Sequence, residues 1–322
     1  MEVFVNITVI GCGRWGSFIA WYLNKINHNV TLYGRKNSER MKNLINTRDN
    51  GLLVLDDKIK LSTNLDESIK SDIIVISINS QSLRGLMEEL KEYNLKDKYI
   101  VLCMKGIEIE TGERLTQIVK EYIKDNNRIA VWLGPGHVQE FCSGISNCMV
   151  IDSENDETKK ELVKEFSSDL IRFYYGTDLI GNEIGGAAKN VIGIAAGMLD
   201  GLKMSSLKGA LTSRGTREVA RLIKAMGGNE LSAYGLCHLG DYGATVFSEY
   251  SNNRKFGELY VKGEKYEKLA EGYYTVKAIK KLEDKYNVEM PITNAVYNIL
   301  YDNKDAKDEL KELFSRDIKN EF

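Results

Sequence analysis

The sequence predicts an α/β protein: an N-terminal Rossmann-type domain with a largely parallel sheet over residues 1–182, then an all-helical substrate or catalytic domain over 183–322. Three observations predict it. Short β-branched runs alternate with helix-like stretches up to about residue 180, as crossover units of a parallel sheet do. Those runs are nearly continuous in apolar residues, which suits strands covered on both faces. Beyond residue 180 strand-like runs vanish and helical periodicity takes over.

The first run, "ITVI" (7–10), leads through Gly11-Cys12-Gly13-Arg14-Trp15-Gly16 into a helix-like pattern. A Gly-x-Gly-x-x-Gly turn in that setting is the dinucleotide fingerprint. Two glycines allow the tight turn and the approach of a pyrophosphate, the third lets helix and strand pack closely, and the helix amides face the phosphates. The second run, "NVTLYG" (29–34), ends in Arg35 and Lys36. An acid at this point holds the ribose hydroxyls of unphosphorylated cofactor, whereas cations tolerate or prefer a 2′-phosphate. NADP is therefore favoured over NAD. Further strands are predicted at "DIIVISI" (72–78), "YIVLCM" (99–104), "IAVWLG" (129–134), "CMVIDS" (148–153) and "LIRFYYG" (170–176). Between them, "GERLTQIVKEYIK" puts Leu115, Ile118, Val119 and Tyr122 on one helical face. The chain has only two prolines, Pro135 and Pro291, so helix breaks fall to glycine.

Composition excludes several classes. A net charge of -2 offers no footprint for nucleic acid. The charged stretch from Asp302 to Leu313 is a solvated helix face rather than a binding tail. Five cysteines, without metal-ligand spacing, are expected as small buried thiols in a reducing compartment, and no metal is called for. No apolar run reaches the ~18 residues of a membrane span, and the N-terminus shows no basic segment ahead of a long apolar run, so the expected location is the cytoplasm. Of the three histidines, His28 is expected at the surface; His137 and His238 lie in glycine-rich places that border a cleft or serve as hydrogen-bonded loop residues.

The helix from Glu183 to Leu202 carries the chemistry. Lys189 is its only charged residue between Glu183 and Asp200, amid small and apolar side chains. A lysine on a helix buried on most sides is costly unless it faces a cavity or finds partners. Desolvation or a second cation would lower its pKa, which suits it to proton transfer. Asn190 beside it offers donors to a polar substrate.

Taken with "MKGIEIETGERL", "GPGHVQEF", "GAAKNVIGIAAGMLDGL", "ALTSRGTREVARL", "GLCHLGDYGAT", "SNNRKFG", "AEGYYT" and "EMPITNAVYNILY", these features resemble the bacterial NAD(P)-dependent glycerol-3-phosphate dehydrogenase family over nearly the whole chain. The resemblance implies reduction of dihydroxyacetone phosphate to sn-glycerol 3-phosphate for phospholipid synthesis, and homodimerisation. It implies that Gly11, Arg14 and Trp15 lie in the cofactor turn, alongside Gly13 and Gly16 of the fingerprint. A second cofactor loop spans Gly134 to Val138, in which Gly134 also meets substrate. Lys105 contacts both substrate and cofactor, and as a second cation near Lys189 would depress that lysine's pKa. Lys189 is the general acid/base, with Asp241 beside it to orient it. Asn190 and Thr245 line the substrate site; Ser251, Asn252 and Asn253 match the phosphate-binding stretch; Arg254 and Glu271 lie near the cofactor.

Three departures stand out. The family's Ser-Arg-Asn-Arg is Ser251-Asn252-Asn253-Arg254 here, which removes a bidentate phosphate ligand. Weaker phosphate binding, compensation by Arg254 or Lys255, and a shifted substrate all follow as readings. "GPSFA" is replaced by "GPGHV", and Asn79 stands where the family has proline. A reductase of another small ketone or hydroxy acid, or a non-catalytic NAD(P)-sensing homologue, are the alternatives. β-Hydroxyacid dehydrogenases place lysine and asparagine one helical turn apart, unlike the adjacent Lys189 and Asn190.

Overall fold

The computed structural model describes residues 5–93, 95–123, 126–318 and 320. The chain divides into two compact units, residues 1–105 with 113–179 and residues 106–112 with 180–322.

The first unit alternates strand and helix in chain order: β1 (Asn6–Ile10), α1 (Arg14–Lys25), β2 (Asn29–Tyr33), α2 (Glu39–Thr47), β3 (Lys60–Ser62), α3 (Leu65–Ser68), β4 (Ile73–Ile76), α4 (Leu83–Lys91), β5 (Tyr99–Leu102), α5 (Leu115–Tyr122), β6 (Arg128–Leu133), α6 (Val138–Cys142), β7 (Asn147–Asp152), α7 (Asp156–Phe166) and β8 (Ile171–Tyr175). The strands form one sheet in the order β3-β2-β1-β4-β5-β6-β7-β8. Every neighbouring pair is parallel except β6 and β7. Strand order reverses between β1 and β4, so the carboxyl end of β1 opens the crevice where such sheets take ligands. Ile7, Val9, Val75, Val101 and Trp132 form the middle of this unit's core. The central strands β1, β4 and β5 are almost wholly buried, which is why their apolar runs were so readable.

Two features differ from expectation. β3 is a three-residue edge strand whose "KLS" carries no apolar run. His28, expected at the surface, is buried: its Nε2 lies 2.8 Å from the Glu165 carbonyl and its ring meets Phe166 edge-on. The turn after α1 folds back onto the end of α7, which a reading of the local "INHN" could not reveal.

The second unit contains no strand among the described residues. It consists of α8 (Leu179–Gly201), α9 (Lys208–Ala225), α10 (Asn252–Val261), α11 (Glu271–Tyr286), α12 (Pro291–Tyr301) and α13 (Ala306–Ser315), joined by short 3-10 and π turns. α8 is buried from Gly181 to Leu199, as its all-round apolar composition requires. Its glycines at four-residue spacing decide what covers it. An added Cβ at Gly197 would lie 1.8 Å from the Arg254 carbonyl oxygen, and one at Gly201 2.7 Å from that of Glu258. From the other side, a Cβ on Gly257 would reach within 2.1 Å of the Ile194 carbonyl oxygen. α8 and α10 therefore meet backbone to backbone. α12 begins with Pro291, and the buried Glu218 carboxylate of α9 accepts from Ile292 N (2.7 Å), Thr293 N (2.9 Å) and the Thr293 hydroxyl (2.7 Å). One side chain thus caps a whole helix start.

Candidate active site

The turn after β1 has the shape its glycines predict. Gly11 sits at φ +115°, and an added Cβ would lie 2.2 Å from the Ser77 carbonyl oxygen. At Gly16 it would lie 1.9 Å from the Gly11 carbonyl oxygen, so helix α1 presses directly on the turn. Gly13 differs: among the described residues, its chain neighbours aside, only the Arg40 guanidinium lies within 4 Å of its Cβ position, at 3.6 Å. A side chain there would fill a cradle beside the first turn of α1, which has no side-chain cap and no acid. This donor set fits a dinucleotide's pyrophosphate. Arg14 bonds Gln139, while the Trp15 ring lies against Phe18 and Phe141. Arg35 and Lys36 are exposed at the end of β2, and their side chains make no hydrogen bond among the described residues.

Within the same unit, Lys105 Nζ donates to the Gly134 carbonyl at 2.6 Å. Gly134 (φ +132°) and Gly136 (φ +144°) take conformations open to glycine, and at Gly136 a Cβ would strike the Phe141 ring. The Val138 side chain is buried at the start of α6, so only its backbone faces the loop.

In the second unit, Lys189 is 8% exposed on α8. Its Nζ donates to Asp241 Oδ2 at 2.8 Å and to the Thr245 hydroxyl at 2.7 Å. Asp241 closes the 3-10 turn Leu239–Asp241 and Thr245 lies in the π turn Gly243–Phe247, both 1% exposed. An ion pair this deep costs desolvation that its mutual attraction only offsets when geometry is good. Stability alone gives weak reason to keep it.

Next along α8, Asn190 Oδ1 accepts from Asn253 Nδ2 at 2.9 Å, and Asn253 Oδ1 accepts from Gly272 N at 2.9 Å. Both ends of Asn253 are spent on the protein, bracing α8, α10 and the start of α11 together. Glu271 is the first residue of α11.

His238 is fully buried behind this cluster. Its Nδ1 lies 2.9 Å from the Gly185 carbonyl and its Nε2 2.8 Å from the Tyr242 hydroxyl. A carbonyl only accepts, so Nδ1 carries the proton and Nε2 accepts from tyrosine. Burial, chiefly, pushes the imidazole down to about 4, against the smaller raising effects of Gly185 and Asp241. His238 is a neutral strut, the hydrogen-bonded loop residue of the two sequence readings.

At α10, the Ser251 hydroxyl caps the helix by accepting from Arg254 N. Asn252 Oδ1 accepts from the Tyr266 hydroxyl at 2.8 Å. Arg254 turns to Asp200, 2.6 Å from Nη1, and its Nε donates to the Ser248 carbonyl at 2.9 Å. Asp200 also holds Lys208 at 2.6 Å. Lys255 pairs with Glu258 at 3.2 Å. Both cations nearest the missing arginine are thus engaged with acids.

Of the residues singled out from sequence, the structure brings Asp241 and Thr245 onto Lys189, and it joins Asn190 to Asn253, a pairing the sequence did not predict. Tyr266, Asp200 and Arg40 were not among the predicted site residues. Asp200 had a signal, since it is the next charge after Lys189 on α8; Tyr266 and Arg40 had none. Asn79 caps a short 3-10 turn by accepting from Gln81 N at 2.9 Å. The five cysteines form no disulfide. Among the described residues, no three His, Cys, Asp or Glu side chains are grouped to hold a metal ion, and no helix is long and apolar enough to cross a membrane.

Comparison with known proteins agrees with this geometry. Residues 6–159 match the family described as NAD-dependent glycerol-3-phosphate dehydrogenase N-terminus, and residues 178–311 the corresponding C-terminus. A glycerol-3-phosphate dehydrogenase [NAD(P)+] of Fusobacterium nucleatum is 37% identical over 99% of both chains; one from Thermoanaerobacter is 34% identical over 99% of both. The crystal structure of a Coxiella burnetii glycerol-3-phosphate dehydrogenase superposes with a TM-score of 0.90 at 26% identity, covering 97% of this chain and 99% of that one. A D-mandelate dehydrogenase solved with NADH shares the fold alone, at TM-score 0.63 and 15% identity over 94% of this chain and 99% of that one.

Proposed function

The chain belongs to the NAD-dependent glycerol-3-phosphate dehydrogenase family, and on that premise we propose that it reduces dihydroxyacetone phosphate to sn-glycerol 3-phosphate for glycerophospholipid synthesis. The cofactor is NAD or NADP, and the dinucleotide supplies or takes the hydride at the substrate's central carbon. The observation that carries this reading is Lys189, buried in an apolar helix with Asp241 at 2.8 Å and Thr245 at 2.7 Å.

During reduction, negative charge develops on the carbonyl oxygen. Protonated Lys189 stabilises that oxygen and then gives it a proton; in the reverse direction neutral Lys189 takes the hydroxyl proton. Asp241 and Thr245 fix the Nζ position, so little reorganisation is needed at the moment of transfer. Asn190 hydrogen-bonds the substrate's polar groups, held in its rotamer by Asn253. Lys105 balances substrate charge. The turn Gly11–Gly16 and the loop from Gly134 to Val138 bind the dinucleotide, with Arg254 and Glu271 near it. Ser251 and Asn252 take part in holding the phosphate. Arg35 and Lys36, with no acid at the end of β2, support a preference for NADPH. The protein acts on this small-molecule substrate in the cytoplasm, as a homodimer and without nucleic acid; cysteines that form no disulfide support the reducing compartment, and a net charge of -2 the lack of a nucleic-acid footprint.

Purified protein mixed with NADPH and dihydroxyacetone phosphate should consume absorbance at the reduced nicotinamide band. Lys189→Ala should lower kcat by at least about a thousandfold while leaving cofactor affinity nearly unchanged. An active Lys189→Ala enzyme would remove the mechanism. Cofactor binding without turnover on any small ketone would favour the non-catalytic alternative.

A further inference from the structure

We propose that Arg40, on α2 rather than at the end of β2, is the residue that reads the 2′-phosphate of NADPH. The inference rests on the assignment of the turn Gly11–Gly16 to a dinucleotide. Three observations seat the start of α2 against that turn. The Cys12 thiol lies 3.6 Å from the hydroxyl of Ser38, the residue that caps α2. A Cβ on Gly34 would fall 2.8 Å from Cys12 Sγ and 2.9 Å from Met41. Met41 itself is fully buried. α2 therefore starts at a fixed distance from the glycines, and Arg40 stands in its first turn.

From there the Arg40 guanidinium lies 3.6 Å from the Cβ position of Gly13, the open glycine of the turn. The side chain is exposed and makes no ion pair or hydrogen bond with any described residue. Arg40 thus spans from the loop after β2 to the glycine turn. In this class of fold the adenosine ribose passes between those two places, and its 2′ substituent is read after β2. A planar guanidinium there offers a paired set of donors to a phosphate, and an uncharged 2′-hydroxyl gains little from it. Arg35 and Lys36 add positive field; Arg40 supplies the directed contact.

The test is binding, measured without substrate. Wild-type protein and Arg40→Gln are titrated with NADPH and NADH by nicotinamide fluorescence, and with adenosine 2′,5′-bisphosphate and 5′-AMP by calorimetry. Arg40→Gln should weaken NADPH and the bisphosphate by about tenfold or more at low salt, and NADH and 5′-AMP by less than about twofold. Thermal melting should be unchanged, because the side chain is exposed. Equal losses for both members of each pair would overturn the proposal by placing Arg40 on the pyrophosphate. No loss for any ligand would overturn it as well. Wild-type protein that binds none of the four would overturn the dinucleotide assignment itself, and is seen before any substitution is made.

Discussion

Acidification should weaken the second unit through His238. The imidazole is fully buried, donates to Gly185 O and accepts from Tyr242, and has its pKa pushed down to about 4, mainly by burial. In the unfolded chain it titrates near 6.5. Between these values the unfolded state binds a proton that the folded state refuses. Stability is therefore fully present above about 6.5 and lost as the pH falls toward 4. The gap is worth about 3 kcal/mol in all, of which about 2.5 kcal/mol is lost between pH 7 and pH 4.5. For a unit of this size that is a fall of about 5–10 °C in melting temperature. His238→Gln keeps a polar side chain but cannot titrate in this range. Melting both proteins at the two pH values removes the part due to carboxylates, which they share. The wild-type protein should lose about 2.5 kcal/mol more than the variant on acidification. If the two lose the same amount, the imidazole is not held neutral and the strut reading is wrong.

Three further outcomes follow from the geometry. Gly16→Ala places a methyl 1.9 Å from the Gly11 carbonyl oxygen; it should abolish dinucleotide binding, as measured by fluorescence titration, and destabilise the first unit by a few kcal/mol. Glu218→Ala removes three buried hydrogen bonds from the start of α12 and should cost about 3–5 kcal/mol in urea unfolding. Asn252→Arg should lower the KM for dihydroxyacetone phosphate about tenfold with kcat little changed; an unchanged KM would show that residue 252 does not meet the phosphate.

What was readable in the sequence was what local pattern determines. Strands β1, β4 and β5 are buried on both faces, so unbroken apolar runs betrayed them. β3 is an edge strand of three residues and betrayed nothing. Lys189 stood out because a charge in an apolar helix contradicts its surroundings. The partners of side chains on irregular segments were a different matter. His28 looked like a turn residue because the α7 carbonyl that binds it is 137 positions away in sequence. Arg254 looked available to replace the missing arginine, and only the fold shows Asp200 beside it. Tyr266 could not be paired with Asn252 from spacing, since the intervening turn is irregular. Local periodicity reports burial; it does not report which long side chain a carboxylate has already claimed.

The glycines of α8 carry a consequence for how such a site can diversify. With Gly197 and Gly257 each facing a carbonyl oxygen of the other helix, α8 and α10 already meet backbone to backbone and have no room to come closer or to slide over a side chain. The spacing between the lysine's helix and the helix that begins at Ser251 is thus a fixed ruler. A change in the ligand's size or charge cannot be met by moving one helix against the other. It has to be met by exchanging the side chains that project from the ruler's ends, among them residue 252 at the exposed first turn of α10.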